Sequence, residues 1–401
     1  MTLTPYRRVL AVPGVRSSML LFFFARLPMT AMGITMTLHV VGDLGKGYGA
    51  AGLVGAAITL GNAVAAPVLG RLIDHYGLRL VTVICGLSTT AFWLVSPYLT
   101  FPALVIVALP GGILTVPAGS IARQVLAALV PETKRRTAFS LDTISVEVSF
   151  MFGPAAAVFV VTQYSSQLML TAIGVSFGVS SLLLYLMNPP IRSEDETASQ
   201  EGEARPPMRS WLRGKFIATL LIAVGALFVL IGTEVAAIAA LRDTGNVEWT
   251  GLVIIAMCVA SLIGGLVHGA VHRSLSQGWL VFLLAALTLP VGLFIQPWWL
   301  LALALIPMNL MCAPTLAATT ETVSKLAPPQ VRGEAMGIQD AATRLGLSLG
   351  GPAIGFAIDH SSAAWGFFAA GAGALVLAGL GKAFERSLKP EVRELSVTSG
   401  S

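Results

Sequence analysis

The sequence predicts an all-α integral membrane protein, with twelve transmembrane helices in two pseudo-symmetric six-helix bundles and both termini cytoplasmic. Three observations predict it. Hydrophobic residues fill 55% and charged residues 11% of the 401 positions, and mean hydropathy is +0.80, whereas a soluble domain carries about 25% charge. Apolar stretches of about 20 residues, the length that crosses a hydrocarbon core about 30 Å thick, recur twelve times between punctuating loops. Pro131, Asp142, Gly153, Pro154 and Ala155 return in register 198 positions later as Pro329, Asp340, Gly351, Pro352 and Ala353. A duplicated membrane half is the organisation of chains that rock two bundles about a midplane site.

The expected spans are 17–41, 48–69, 80–98, 102–126, 137–161, 167–187, 215–241, 250–268, 277–296, 298–321, 334–358 and 363–384. The first runs past signal-peptide length, holds Arg26 and lacks a small-residue cleavage site, so it is expected to stay as a permanent helix. Outside the spans, 20 Lys and Arg fall on the side carrying both termini and only Lys46 and Arg242 on the other. That asymmetry sets the termini in the cytoplasm. The net charge of +5 then expresses topology, and no nucleic-acid partner is implied. Cys85, Cys258 and Cys312 lie inside apolar segments without metal-like spacing and are expected to pack.

Residues 190–213 switch to charge, Pro, Ser and Thr and are read as a solvated cytoplasmic linker. It separates an N-terminal bundle (1–189) from a C-terminal bundle (214–385), with a polar cytoplasmic tail at 386–401. Gly153–Pro154 and Gly351–Pro352 are expected to bend the fifth and eleventh spans, because proline lacks the N–H and crowds the preceding turn. Pro110 and Pro117 correspond to Pro307 and Pro314 at an offset of 197, a second trace of the repeat.

Between the second and third spans lies Gly-Arg-Leu-Ile-Asp-His-Tyr-Gly-Leu-Arg, with Gly70, Arg71, Asp74, Gly77 and Arg79. The glycines permit a tight turn against a neighbouring helix, and the carboxylate can reach a helix N-terminus or an arginine across a domain interface. This segment resembles the signature loop of the major facilitator superfamily, matching at Gly70, Asp74, Gly77 and Arg79. The resemblance implies the major facilitator fold, with Asp74 helping to latch the cytoplasmic side shut against the eleventh span near Arg332, Gly333 and Glu334. His75 and Leu78 stand where the family has basic residues, and Arg71 is the candidate to supply that charge. The corresponding second-half loop, 265–278, has no acid; its His268, His272 and Arg273 are read as solvated interface residues, without a metal site.

Ions near the bilayer midplane cost about 2.5–3.5 kcal/mol each on insertion scales. Arg26 falls about 14 Å into the first span and Glu147 about 15–17 Å into the fifth, at 1.5 Å per residue. If these spans pack together, as the resemblance implies, an Arg26–Glu147 pair can form. It then acts either as a permanent neutralising pair or with Glu147 as a proton-coupling carboxylate. Asp340 and Arg344 share a face at i, i+4, so they either neutralise each other or bridge to the other half, where Asp142 repeats the acid. Arg123 resembles an arginine of drug/proton antiporters, or it snorkels to water. Ser149–Phe159 matches the antiporter Gly-Pro motif only in part. Glu234 and Asp359 read as vestibule or loop charges. Phe22, Phe23, Phe24, Met29, Met32, Met36 and Met308 suit either a tolerant apolar cavity or packing.

No HExxH or Walker sequence occurs, so neither an enzyme nor an ATP-driven pump is expected, and no cofactor or metal is implied. The reading is a monomeric, multi-pass secondary transporter of the cytoplasmic membrane. It moves a small-molecule substrate with the proton as coupling ion, by efflux, with symport-type uptake as the alternative.

Overall fold

The computed structural model describes residues 4–193, 205–271 and 274–387, and all regular structure among them is helical. The first half comprises α1 (Thr4–Leu10), α2 (Val15–Leu38) with a π-helical turn at His39–Asp43, α3 (Tyr48–Tyr76), α4 (Leu78–Val95), α5 (Phe101–Ile113), α6 (Ala118–Leu129), α7 (Glu132–Gln163) and α8 (Ser166–Met187). The second comprises α9 (Met208–Trp211), α10 (Gly214–Asp243), α11 (Thr250–Ala270), α12 (Gln277–Thr288), α13 (Trp298–Asn309), α14 (Cys312–Leu326), α15 (Arg332–Asp359) and α16 (Ala363–Ser387).

Ten helical stretches among the described residues are long and apolar enough to cross a membrane. The expected spans 277–296 and 334–358 are the two outside that set. The first is shorter: α12 passes at Leu289 into a 3-10 turn that contains Pro290, and a proline cannot continue the α-helical donor ladder. The second, α15, has the length but carries Arg332, Glu334, Asp340, Arg344 and Asp359, which lower its hydropathy.

The fourth and tenth spans are not continuous helices as expected. α5 stops at Ile113 and α6 starts at Ala118 after Pro117. The freed backbone groups find a partner in Thr89 of α4, whose hydroxyl bonds the Leu114 carbonyl (3.1 Å) and accepts from Val116 N–H (3.3 Å). A broken helix survives at membrane depth only when a neighbour supplies such groups. The α13–α14 interruption falls at Leu310–Met311, between Pro307 and Pro314. By contrast, α7 and α15 run unbroken through Pro154 and Pro352.

Each half has its own apolar core, around Trp93, Leu104 and Phe177 in the first and Leu284, Leu305 and Phe367 in the second. Lipid tails are as apolar as leucine, so close packing through small residues, rather than hydrophobic burial, must hold such helices together. Large apolar side chains such as Leu87, Ile106 and Leu182 accordingly remain on the outside.

Glycines record which way each helix faces. On α3, a Cβ at Gly70 would overlap the Gly333 carbonyl of α15, whereas one at Gly61 would meet the α5 backbone at Leu109 and Ile113. On α15, Gly337 faces Ala66 of α3, whereas Gly346 and Gly350 face Val224 and Phe228 of α10. The two helices therefore meet at the end that carries the 190–213 segment and diverge, each into its own half, toward the other end. α11 behaves likewise, with Gly269 against Tyr6 and Ser140 of the first half and Gly264 against Leu310 at the α13–α14 interruption.

The segment read as a solvated linker is docked at both described ends. Arg192 donates to the Asp74 carbonyl (2.8 Å), Arg205 pairs with Glu334 (2.5 Å), and Trp211 is buried with Phe216, Val323 and Met336. Free carbonyls at the C-terminus of α3 attract a guanidinium because they carry the negative end of the helix dipole. The linker residues 194–204, the loop residues His272 and Arg273, and tail residues 388–401 lie outside the described residues.

Candidate functional site

The seam between the halves is built from helix ends. α15 starts at Arg332, and its first N–H groups have no partner within the helix. Asp74 supplies one: Oδ1 accepts from Gly333 N–H (2.9 Å) and Oδ2 from Glu334 N–H (2.8 Å). A carboxylate there is favoured by the positive end of the α15 dipole as well as by two charge-assisted hydrogen bonds. Gly77, at φ 82° between α3 and α4, makes the sharp turn behind it, a conformation that penalises any side chain. Glycine at 70 and 333 lets the two backbones close to this distance.

The opposite polarity appears at the C-terminus of α11, which ends at Ala270. There the first half sends donors: Tyr6 Oη to the Leu266 carbonyl (2.7 Å), Thr137 Oγ1 to the Gly269 carbonyl (2.7 Å), and Arg136 to the Val271 carbonyl. Burial pushes the Tyr6 hydroxyl up to about 12, so it remains a donor at any physiological pH. Thus an anion closes the positive helix end and a cation the negative one.

Deeper along the seam, Asp340 joins both halves. One carboxylate oxygen meets Arg344 of its own helix (2.8 Å) and the other meets Arg123 of α6 (3.3 Å). Both alternatives for this acid therefore hold at once. Arg123 is engaged here, rather than snorkelling.

Arg26 pairs with Asp142 at 2.7 Å, both nearly buried, and the expected Arg26–Glu147 pair does not form. Five residues along a helix turn a side chain by about 140°, so Asp142 and Glu147 cannot both face α2. Glu147 faces the other half, where its Oε1 accepts from Ser261 of α11 at 2.9 Å. Among the described residues it has no cationic partner. Glu234 is half-buried on α10 and, like Glu147, lies within electrostatic reach of the Cys258 thiol.

Arg71 is exposed and forms no ion pair among the described residues, so the cations at the latch are Arg192 and Arg205. Arg79 lies over the Tyr185 ring, 5.4 Å from its centroid, within its own half. Gly153 packs against Thr30 of α2, and Gly351 faces open space. His268 is buried, not solvated, with Nδ1 2.5 Å from Ser274 Oγ. The aromatic and sulfur residues do not gather into one cavity: Phe22, Met36 and Met308 sit in cores, and Phe24 faces outward.

Several contributors escaped sequence reasoning. Tyr6 lies before the first span, and Arg192 and Arg205 lie in a segment whose polarity marks it only as solvated. Ser261 is one serine among many in apolar helices. The Asp43 carboxylate and Ser166 hydroxyl both reach Nδ1 of fully buried His39 at 2.8 Å; the i, i+4 spacing of His39 and Asp43 was the available signal.

A family profile described as Major Facilitator Superfamily matches residues 18–277 and again 235–398. No curated protein matches the chain by sequence. Among solved structures, the human organic anion transporter MFSD10 (TETRAN) is 16% identical with a TM-score of 0.70, over 92% of this chain and 100% of that one. The proton:xylose symporter XylE is 15% identical, TM-score 0.72, over 92% and 96%. A bacterial homologue of the iron transporter ferroportin, in an outward-facing state, is 15% identical, TM-score 0.73, over 94% and 100%. At such identities the likeness is one of fold.

Proposed function

The chain belongs to the major facilitator superfamily and is a multi-pass membrane transporter, not an enzyme; from that premise we propose that it is a monomeric, proton-coupled exporter of a drug-like compound or metabolite, working by alternating access. The twelve-span topology, with bundles 1–189 and 214–385, both termini cytoplasmic and residence in the cytoplasmic membrane, rests on the apolar segments and the basic-residue asymmetry. In that orientation the seam closed by Asp74, Asp340 and the α11 end is cytoplasmic, and the arrangement is outward-facing.

The observation that carries proton coupling is Glu147. It is a carboxylate at the seam, held by a hydroxyl of the opposite half and without a cation among the described residues, so it can bind and release a proton as the halves separate. Arg26 and Asp142 neutralise each other and serve the bundle, whereas Arg123, Asp340 and Arg344 form the cross-half lock. The direction is export in this reading, with proton-coupled uptake as the alternative, and the Gly-Pro helices match the exporter motif only in part. The three structural relatives carry an organic anion, a sugar and iron by their names, so the fold leaves the substrate open.

The test is efflux of a fluorescent cationic dye from cells expressing the wild-type chain, Asp74→Asn or Glu147→Gln, with and without a protonophore. Wild-type efflux that collapses with the protonophore and in both variants supports the proposal. Efflux insensitive to the protonophore contradicts proton coupling, and faster dye accumulation in wild-type cells turns the reading to uptake.

A further inference from the structure

On the linker end of the second half, a crevice of about 930 Å³ opens between α10, α12, α14 and α16 and abuts the seam at the α11 end, where Arg136 and His268 line it. Its cations are Arg136, Lys215, Lys325 and Lys382, and its carboxylates are Glu321 and Glu385. Lys325 and Glu321 cancel each other at 2.7 Å. That leaves Lys215 and Lys382 against Glu385, and both lysines are exposed without an ion pair among the described residues.

The wall adds two independent pointers to a ligand. His268 is 3% exposed and lines the crevice; its Nδ1 is bonded to Ser274, but its Nε2 has no partner among the described residues. With Ser274 donating to Nδ1, the proton sits on Nε2, a buried donor that a ligand reaching it would satisfy. Gln277 gives its amide N–H to Thr219 (2.9 Å) and leaves a buried Oε1 unpaired, an acceptor that a ligand hydroxyl would satisfy. Buried polar atoms seldom stay unpaired.

The same crevice has an apolar side. Trp279, Phe282 and Leu275 expose large surfaces beside it, and a tryptophan at the end of a membrane helix sits where hydrocarbon gives way to headgroups. Cations and a neutral donor next to such a wall match a phosphate diester joined to acyl chains and a hydroxylated head, better than they match a fully polar solute. Basic pockets between membrane helices bind acidic lipid headgroups for this reason.

We propose that this crevice binds a phosphate-bearing anion, supplied by an acidic phospholipid whose headgroup meets Lys215, Lys382 and His268 and whose chains lie along Trp279 and Phe282. Arg136 belongs to the first half and bonds the Val271 carbonyl at the crevice rim. A bound phosphate is therefore attracted more strongly in the closed arrangement than in one that withdraws Arg136, and it biases the halves toward closure.

The full chain is tested by native mass spectrometry from nanodiscs of phosphatidylcholine with or without phosphatidylglycerol, in wild type and in Lys215→Ala/Lys382→Ala, with a third arm adding millimolar inorganic phosphate. The wild type is expected to retain phosphatidylglycerol with an apparent affinity about tenfold or more above that of the double variant, as two lysines near a lipid phosphate imply, and phosphatidylcholine retention stays equal in both. Phosphate that binds the delipidated wild type, but not the variant, and displaces the lipid would uphold the anion site and assign it to a soluble ligand. Equal phosphatidylglycerol retention by wild type and variant, or equal retention of both lipids by the wild type, overturns the proposal. His268→Ala, which leaves the lysines in place, checks the result should the double variant fold poorly: a reduced phosphatidylglycerol retention supports the site and an unchanged one overturns it.

Discussion

Asp142 and Asp340 occupy equivalent positions of the two halves, yet one closes an ion pair inside its bundle and the other reaches across the seam. Asp142 meets Arg26 of α2 at 2.7 Å. At the repeat offset, Arg26 corresponds to Val224 of α10, whose carbonyl instead accepts the close approach of Gly346. With no arginine from α10, Asp340 turns to Arg344 beside it and to Arg123 of the opposite half. A duplicated carboxylate thus takes its role from where the arginine lies. The first half uses its acid for cohesion, and the second half uses its acid for contact with its partner.

The comparison breaks most visibly at Asp142. Asp142→Asn leaves Arg26 buried without a counter-ion and should destabilise the first bundle by about 3–5 kcal/mol, read as a lowered unfolding temperature in detergent. Replacing the pair together, Arg26→Met with Asp142→Leu, should recover most of that loss, since an apolar pair avoids the desolvation of two ions. An unfolding temperature unmoved by Asp142→Asn would remove cohesion from its role.

Asp340→Asn acts on the seam. It leaves two guanidiniums facing each other, and about 1–3 kcal/mol, the usual worth of a charged hydrogen bond, shifts from the closed arrangement to the open one. The expected signature is increased labelling of a cysteine placed at Ala66, opposite Gly337, with an unfolding temperature close to wild type. A drop as large as that of Asp142→Asn would erase the distinction between the two acids.

Glu147→Gln keeps an oxygen for the Ser261 hydroxyl, so stability should move by less than about 1 kcal/mol while the proton dependence of transport disappears. Proton-linked flux that persists unchanged in this protein would sink the coupling assignment. Arg71→Ala should be nearly silent, within about 0.5 kcal/mol, because that side chain is exposed and unpaired among the described residues. Lost transport in Arg71→Ala would show a role that the closed arrangement hides.

The class of fold was legible because apolar stretches and a repeat are global signals that no single residue can obscure. The meeting of Asp74 with the start of α15 was expected too, from the resemblance of residues 70–79 to the signature loop of the family. Partners within apolar helices were not. The Arg26 partner depends on the rotation of α7 about its axis, and a helix that is apolar all round carries no moment to fix that rotation. The breaks at 114–117 and 310–311 were written as prolines, but where the chain yields depends on whether a neighbour such as Thr89 can satisfy the freed groups. Pro154 and Pro352, equally visible, leave their helices continuous.

The most direct test of the seam is the distance between spin labels on the two halves at the linker end, at Arg71→Cys and Lys325→Cys, with Cys85, Cys258 and Cys312 replaced. It is measured by double electron–electron resonance with Asp74 present and with Asp74→Asn. Loss of the carboxylate should convert a single short population into a mixture with a longer one, as the N-terminus of α15 loses its cap. An unchanged distribution would mean that Asp74 caps α15 without holding the halves together.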